Sequence, residues 1–295
     1  MNKAVRSAAL LGALAAPAAT VTAQVEPPRP RVIALVAAVG DRISVVRQKE
    51  SIGSHLEPFS RRSLPVNGPA LNMALLRGLD QGIAQEEPQA QRVLLRWTAP
   101  AEVTQALAEA RGAERDELVL DALLKHLAAL PARAQWDRIE ALLPKHFHAE
   151  MRGMAGKLSG IGIYVQPLKS EQIEISEQGL SNIGVPADGD YRTVDPKTGR
   201  RGNASTYVAP YVYFERVTLD AQTLAVLARK RQFDNIKYND PSSTAIDVLD
   251  QLPPAELLGR LLELAERSAY QSVRGKTSTV QTTVPLELPA SAASR

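Results

Sequence analysis

A mixed β-sheet covered by helices, α/β or α+β in class, is the fold this 295-residue chain predicts, on three observations. Near-continuous apolar runs of strand length lie near the start (32–39) and late in the chain (207–219). Helix-periodic leucines fill much of 70–147 and return after Pro254. Strict β–α alternation fails because hairpins are expected at both ends of the order, which favours a mixed sheet over a purely parallel one.

The first 23 residues read as an export signal. Lys3 and Arg6 form a short cationic segment, Ala8 to Ala19 is uninterruptedly apolar or small, and Val21-Thr22-Ala23 supplies small residues at alternate positions. The apolar run is too short to span a bilayer. The reading predicts cleavage near Ala23, a mature chain beginning near Gln24 and a periplasmic or secreted protein, with no membrane insertion after the signal is removed. Residues 24–30 are a Pro-rich entry (Pro27, Pro28, Pro30), 31–273 one globular domain with a polar loop at 178–203, and 274–295 a Ser/Thr/Pro-rich tail expected to be extended or flexible.

Within the domain, Val32 to Val39 is a strand, Gly40-Asp41 a turn and Ile43 to Arg47 a second strand, together an opening hairpin. Glu50 to Pro65 is irregular, broken by Gly53, Pro58 and Pro65. Asn67-Gly68-Pro69 starts a helix carrying Leu71, Leu75, Leu79 and Ile83. Arg92 to Trp97 is an interior strand, and Thr98 caps a helical stretch that runs to about Phe147, broken at Gly112 and Pro131. Ile161 to Leu168 is a strand. Tyr207 to Leu219 and Leu224 to Arg231 form a hairpin turned at Asp220 to Thr223. Ser243 caps a short helix through Leu249, and Pro254 opens a stronger one.

Charge and composition exclude whole classes of function. The 35 basic and 32 acidic residues become 33 against 32 once Lys3 and Arg6 leave with the signal. The remaining cations form only the small clusters Arg61-Arg62, Arg200-Arg201 and Arg229-Lys230-Arg231, which suit sheet-edge protection better than a nucleic-acid face. With no cysteine, disulfides and thiolate chemistry are excluded. No cofactor is implied, because Gly160-Ile161-Gly162 lacks the third glycine of a dinucleotide fingerprint. Lys197-Thr198-Gly199 has no Ser-x-x-Lys to accompany it. Gly275-Lys276-Thr277 lacks the glycine of a phosphate loop, since Tyr270 stands there.

Three candidate sites remain. Asp41, Ser54 and His55 offer a carboxylate, a hydroxyl and an imidazole, with Arg61 or Arg62 available to hold an anion. An exported hydrolase built on 41–62 would use Asp41 or Ser54 as the reacting group and His55 as base. Tyr207, Tyr211 and Tyr213 share one strand face and Phe214 the other, so Tyr211 and Tyr213 present an aromatic surface for a ligand or, more commonly, pack in the core. His146 and His148 have a metal-ligand spacing, but Trp136, Ile139, Leu142 and Leu143 place them at a helix end, where residues two apart diverge and imidazoles suit the macrodipole. The balance favours a non-enzymatic binding or assembly protein of the cell envelope, whose partner is another envelope protein or a small ligand. The hydrolase is the alternative.

Overall fold

The computed structural model describes residues 29–49, 59–66, 69–146, 157–167, 192–245 and 247–274. The signal at 1–23, Ser54, His55, His148 and the tail after Arg274 lie outside the described residues. The strands are β1 (Val32–Ala37), β2 (Arg42–Gln48), β3 (Phe59–Pro65), β4 (Gln91–Leu95), β5 (Arg138–Pro144), β6 (Ile161–Gln166), β7 (Arg192–Val194), β8 (Arg201–Asn203), β9 (Tyr207–Asp220) and β10 (Val226–Asn235). The helices are α1 (Ala70–Glu86), α2 (Ala101–Glu109), α3 (Glu114–Ala128) and α4 (Pro254–Val273).

Eight strands form one mixed sheet along the path β3-β2-β6-β9-β5-β1-β4, with β10 antiparallel on β9; β7 and β8 make a separate ribbon. The α/β expectation holds. The ladder turns on the length of β9. Its first half, Tyr207–Val212, pairs β6, and its second half, Phe214–Asp220, pairs β5. Between them the Tyr213 N–H donates to the Gly160 carbonyl at 2.8 Å, and the Tyr213 carbonyl accepts from Lys145 N–H at 3.1 Å. Both groups of one strand residue point to one edge, so β5 and β6 lie end to end along the same side of β9. Parallel to them, β1 runs beside β5 and β2 beside β6.

That arrangement corrects the opening hairpin. Gly40, at φ +87°, is the break where the chain leaves β1 and continues as β2 between new neighbours. The hairpin partner of β2 is β3, in the stretch expected to be irregular. Gly40-Asp41 gives a turn signal either way; what decides is that β1 is buried on both faces and is taken up by the parallel neighbours β4 and β5.

The correction at β5 shares that cause. Arg138–Pro144 is a strand rather than helix, because Ile139, Ala141, Leu142 and Leu143 are buried on both sheet faces and their continuous apolar run mimics a helical stripe. Arg92 and its neighbours form an edge strand, since among the described residues β4 pairs only with β1. Thr98 does not cap α2; Pro100 occupies that position and no side chain caps it. The short helix before Pro254 is a 3-10 turn at Val248–Gln251, capped by Asp247, which accepts from Leu249 N–H at 3.0 Å.

One face of the sheet lies under α1 and α4. There Ile33, Leu35, Ile163, Val212 and Phe214 meet Leu75 and Leu79 of α1 and Leu261 and Leu264 of α4. On the opposite face α3 covers Val36, Ile139, Ala141, Leu143 and Val217 with Leu120, Leu123 and Leu127. Beyond α3, the β2–β6–β9 part of that second face carries its own cluster of Val46, Leu158, Tyr164, Tyr207, Ala209 and Tyr211.

Candidate functional site

The site builds from the junction where β5 ends and β6 begins on the second face. Asp116 sits in the first turn of α3, only 5% exposed, and reaches across to the residues that follow β5. Its Oδ1 accepts the backbone N–H of His146 at 2.7 Å and lies 3.0 Å from His146 Nδ1. Its Oδ2 faces Lys145 Nζ at 2.6 Å. Burial disfavours the charged carboxyl, but the hydrogen bonds from His146 and Lys145 outweigh it and hold Asp116 below the ordinary carboxylate range. His146 is shifted down from the ordinary imidazole value, first by burial and then by repulsion from Arg115 and Lys145, with Asp116 opposing. A neutral ring whose Nδ1–H is held by Asp116 keeps its Nε2 as an acceptor.

Arg115 is the uncompensated member. Its buried Nε has no hydrogen-bond partner among the described residues. Burial lowers its guanidinium below the usual value, Arg61 repels it further, and Asp116 opposes. Arg61 reaches this place from β3, where it stands opposite Val46 and so on the tyrosine-bearing face. It donates to the Lys157 carbonyl and lies over the Phe59 ring, 5.5 Å from the centroid. Arg62, opposite Val45, is on the other face.

Behind the cations lies a polar aromatic surface. Tyr211 is fully buried and donates to the Ser159 carbonyl at 3.2 Å; burial raises its hydroxyl above the ordinary phenol range. A Cβ at Gly162 would fall 1.9 Å from the Ser44 carbonyl and 2.8 Å from that hydroxyl, so only glycine leaves it room. Tyr164 donates to Gln166 at 2.9 Å, and Lys157 donates to Gln48, also at 2.9 Å. Tyr213 is buried on the same face, edge-on to Phe233.

Of the residues singled out from sequence, Arg61 and Tyr211 come together here, and His146 joins them from a strand end instead of a helix end. Asp41 is an exposed residue at the β1–β2 break whose carbonyl accepts Val66 N–H at 2.7 Å. Arg115, Asp116 and Lys145 were not singled out. Asp116 lies in an unexceptional helical segment 30 residues from His146, and no local pattern links them. Among the described residues no group of three His, Cys, Asp or Glu side chains could hold a metal ion. No described helix is long and apolar enough to cross a membrane.

No family model and no curated protein matches the chain. Among solved structures it is similar to protein XCC0632 from Xanthomonas campestris, assigned to the DUF330 family, at 10% identity over 84% of each chain and a TM-score of 0.28. It is also similar to PelC from Paraburkholderia phytofirmans, solved as a dodecamer, at 10% identity over 81% of this chain and 90% of that one (TM-score 0.22). A third is the hypothetical protein CT253 from Chlamydia trachomatis, at 8% identity over 83% of this chain and 98% of that one (TM-score 0.23).

Proposed function

We infer that this chain is an exported cell-envelope protein with a binding role, and that its site is the second sheet face around Arg61, Arg115, Asp116, Lys145, His146 and Tyr211. The export half of the reading draws on the leader at residues 1–23. The binding half draws on one observation: charged and hydroxyl groups from β3, β9, α3 and the end of β5 converge beside the carboxyl ends of the parallel strands β1 and β5. Open α/β sheets place their ligands in that position, where the strand order changes. The test has two parts. Cell fractionation with N-terminal sequencing should give a periplasmic protein starting near Gln24. A photo-crosslinking residue at Arg61 should capture a partner or ligand that the same residue at Arg62, on the other face, does not.

A hydrolase reading apart from the one built on 41–62 has one favourable observation, the Asp116–His146 pair, which orients an imidazole as a general base requires. It predicts ester hydrolysis by the purified protein that is lost in His146→Gln.

A further inference from the structure

We propose that the group bound at this site is an oxyanion, a phosphate or carboxylate gripped by the guanidinium groups of Arg61 and Arg115. The proposal deepens the binding reading and rests on it.

Count the charges around the junction. Arg61, Arg115 and Lys145 bring three cations from β3, α3 and the end of β5. Among the described residues the carboxylate between them is Asp116, which is ion-paired to Lys145 through Oδ2 and holds His146 through Oδ1. His146 is shifted towards its neutral form and adds no anion. Arg115 therefore keeps a buried Nε without a partner among the described residues, and the charge of Arg61 repels it. Burying an unpaired charged donor costs free energy, and placing a like charge beside it costs more. By contrast, Arg138 and Arg216 both pair with Glu140, and Arg133, whose Nε is likewise without a partner, donates from Nη1 to the Ala221 and Gln222 carbonyls, each at 2.6 Å. An incoming oxyanion supplies what is missing, because a planar fork of N–H donors matches two oxygens of a phosphate or carboxylate. The Arg61 guanidinium spends one N–H on the Lys157 carbonyl, and the rest of its fork remains for a ligand.

The experiment is thermal denaturation and calorimetric titration of the purified protein with inorganic phosphate, with acetate, and with sodium chloride at equal ionic strength. Phosphate or acetate should raise Tm above the chloride control, and the better of the two identifies the ligand's head group. Arg115→Gln should leave the ligand-free Tm unchanged or higher, because it removes an uncompensated charge, and weaken the oxyanion by about tenfold or more. Arg61→Gln should weaken it likewise, and Arg62→Gln, on the opposite face, should not. Equal Tm shifts in all three salts would overturn the proposal, as would unchanged affinity in Arg61→Gln. If Arg115→Gln lowers the ligand-free Tm, Arg115 is a structural cation and the proposal fails. A failed fractionation or crosslink with an intact phosphate isotherm would reject export or partner capture alone.

Discussion

Asp240 shows how far one contact can move a carboxyl in this protein. The hydrogen bond from Lys197 Nζ, at 2.7 Å, is the largest influence, and with Ser242 it takes the group from 3.8 down to about 2. A carboxyl whose folded value is depressed stabilises the native state above its ordinary value and loses that contribution as pH falls through the folded one. The Lys197–Asp240 link, which ties the β7–β8 ribbon to the turn after β10, should therefore hold at neutral pH and release between about pH 4 and pH 2. Acid titration followed by NMR should show the Asp240 carboxyl titrating near 2, and Asp240→Asn should flatten the stability profile across that window. Glu140 is a different case, because it is enclosed. At 2% exposure it takes Arg138 at 3.0 Å, Arg216 at 3.3 Å and the Thr218 hydroxyl at 3.0 Å. Arg216 in turn donates to the Ser272 carbonyl at the end of α4. Glu140→Ala leaves the largely buried Arg216 guanidinium without its counter-charge and Arg138 with Glu87 alone, which costs on the order of 3–5 kcal/mol. Chemical denaturation should show a loss of that size, and a loss below about 1 kcal/mol would mean that the network is no stronger than an exposed ion pair.

At the scale of elements, the close approach of α1 and α4 rests on small residues. A Cβ on Gly78 would sit 1.9 Å from the Glu266 carbonyl oxygen and 3.0 Å from the Ala269 Cβ. Helix propensity alone favours alanine over glycine by about 1 kcal/mol. Here the obstacle is backbone, which cannot rotate away, and overpacking of this kind costs about 1–3 kcal/mol. The clash wins, so Gly78→Ala should lower stability, whereas Gly259→Ala, whose Cβ would meet nothing within 4 Å, should not. Urea midpoints of the two variants decide between clash and propensity. These helices were legible because α1 and α4 repeat leucine at one face's spacing. The late hairpin was legible because Asp220, whose Oδ1 accepts Gln222 and Thr223 N–H, is a strong turn former. What was not legible was pairing. A strand buried on both faces, such as β5, has no alternation to distinguish it from a short helix, and Gly40 marks a change of direction without saying whether the next strand returns to the last one.

For the whole molecule, the candidate site escaped sequence reading for the same reason. It draws on β3, β9, α3 and the end of β5, which only the tertiary fold brings together, and only Arg61, Tyr211 and His146 carried any local signal. The basic clusters were more transparent. Arg61-Arg62 falls on β3 and Arg229-Lys230-Arg231 on β10, each an outer strand among the described residues. Arg229 and Arg231 also neutralise Glu215, so their edge role is mixed with a pairing role. Arg62 is the cleaner case.

On β3, Arg62 and Leu64 project to the same face two residues apart; both are exposed, Leu64 at 45%. A charged residue on an outer strand resists pairing with another chain because the pairing would desolvate it, while an apolar neighbour invites the contact. Replacing Arg62 with valine removes that resistance and joins a β-branched side chain to Leu64 as one apolar strip. As an exposed surface change it should move thermal stability by no more than about 0.5 kcal/mol. Sedimentation velocity over a concentration series should nevertheless show Arg62→Val associating at concentrations where the unaltered protein does not, and Leu64→Lys added to the same variant should reverse it. Equal sedimentation of all three would mean that the charge at this edge has no bearing on association.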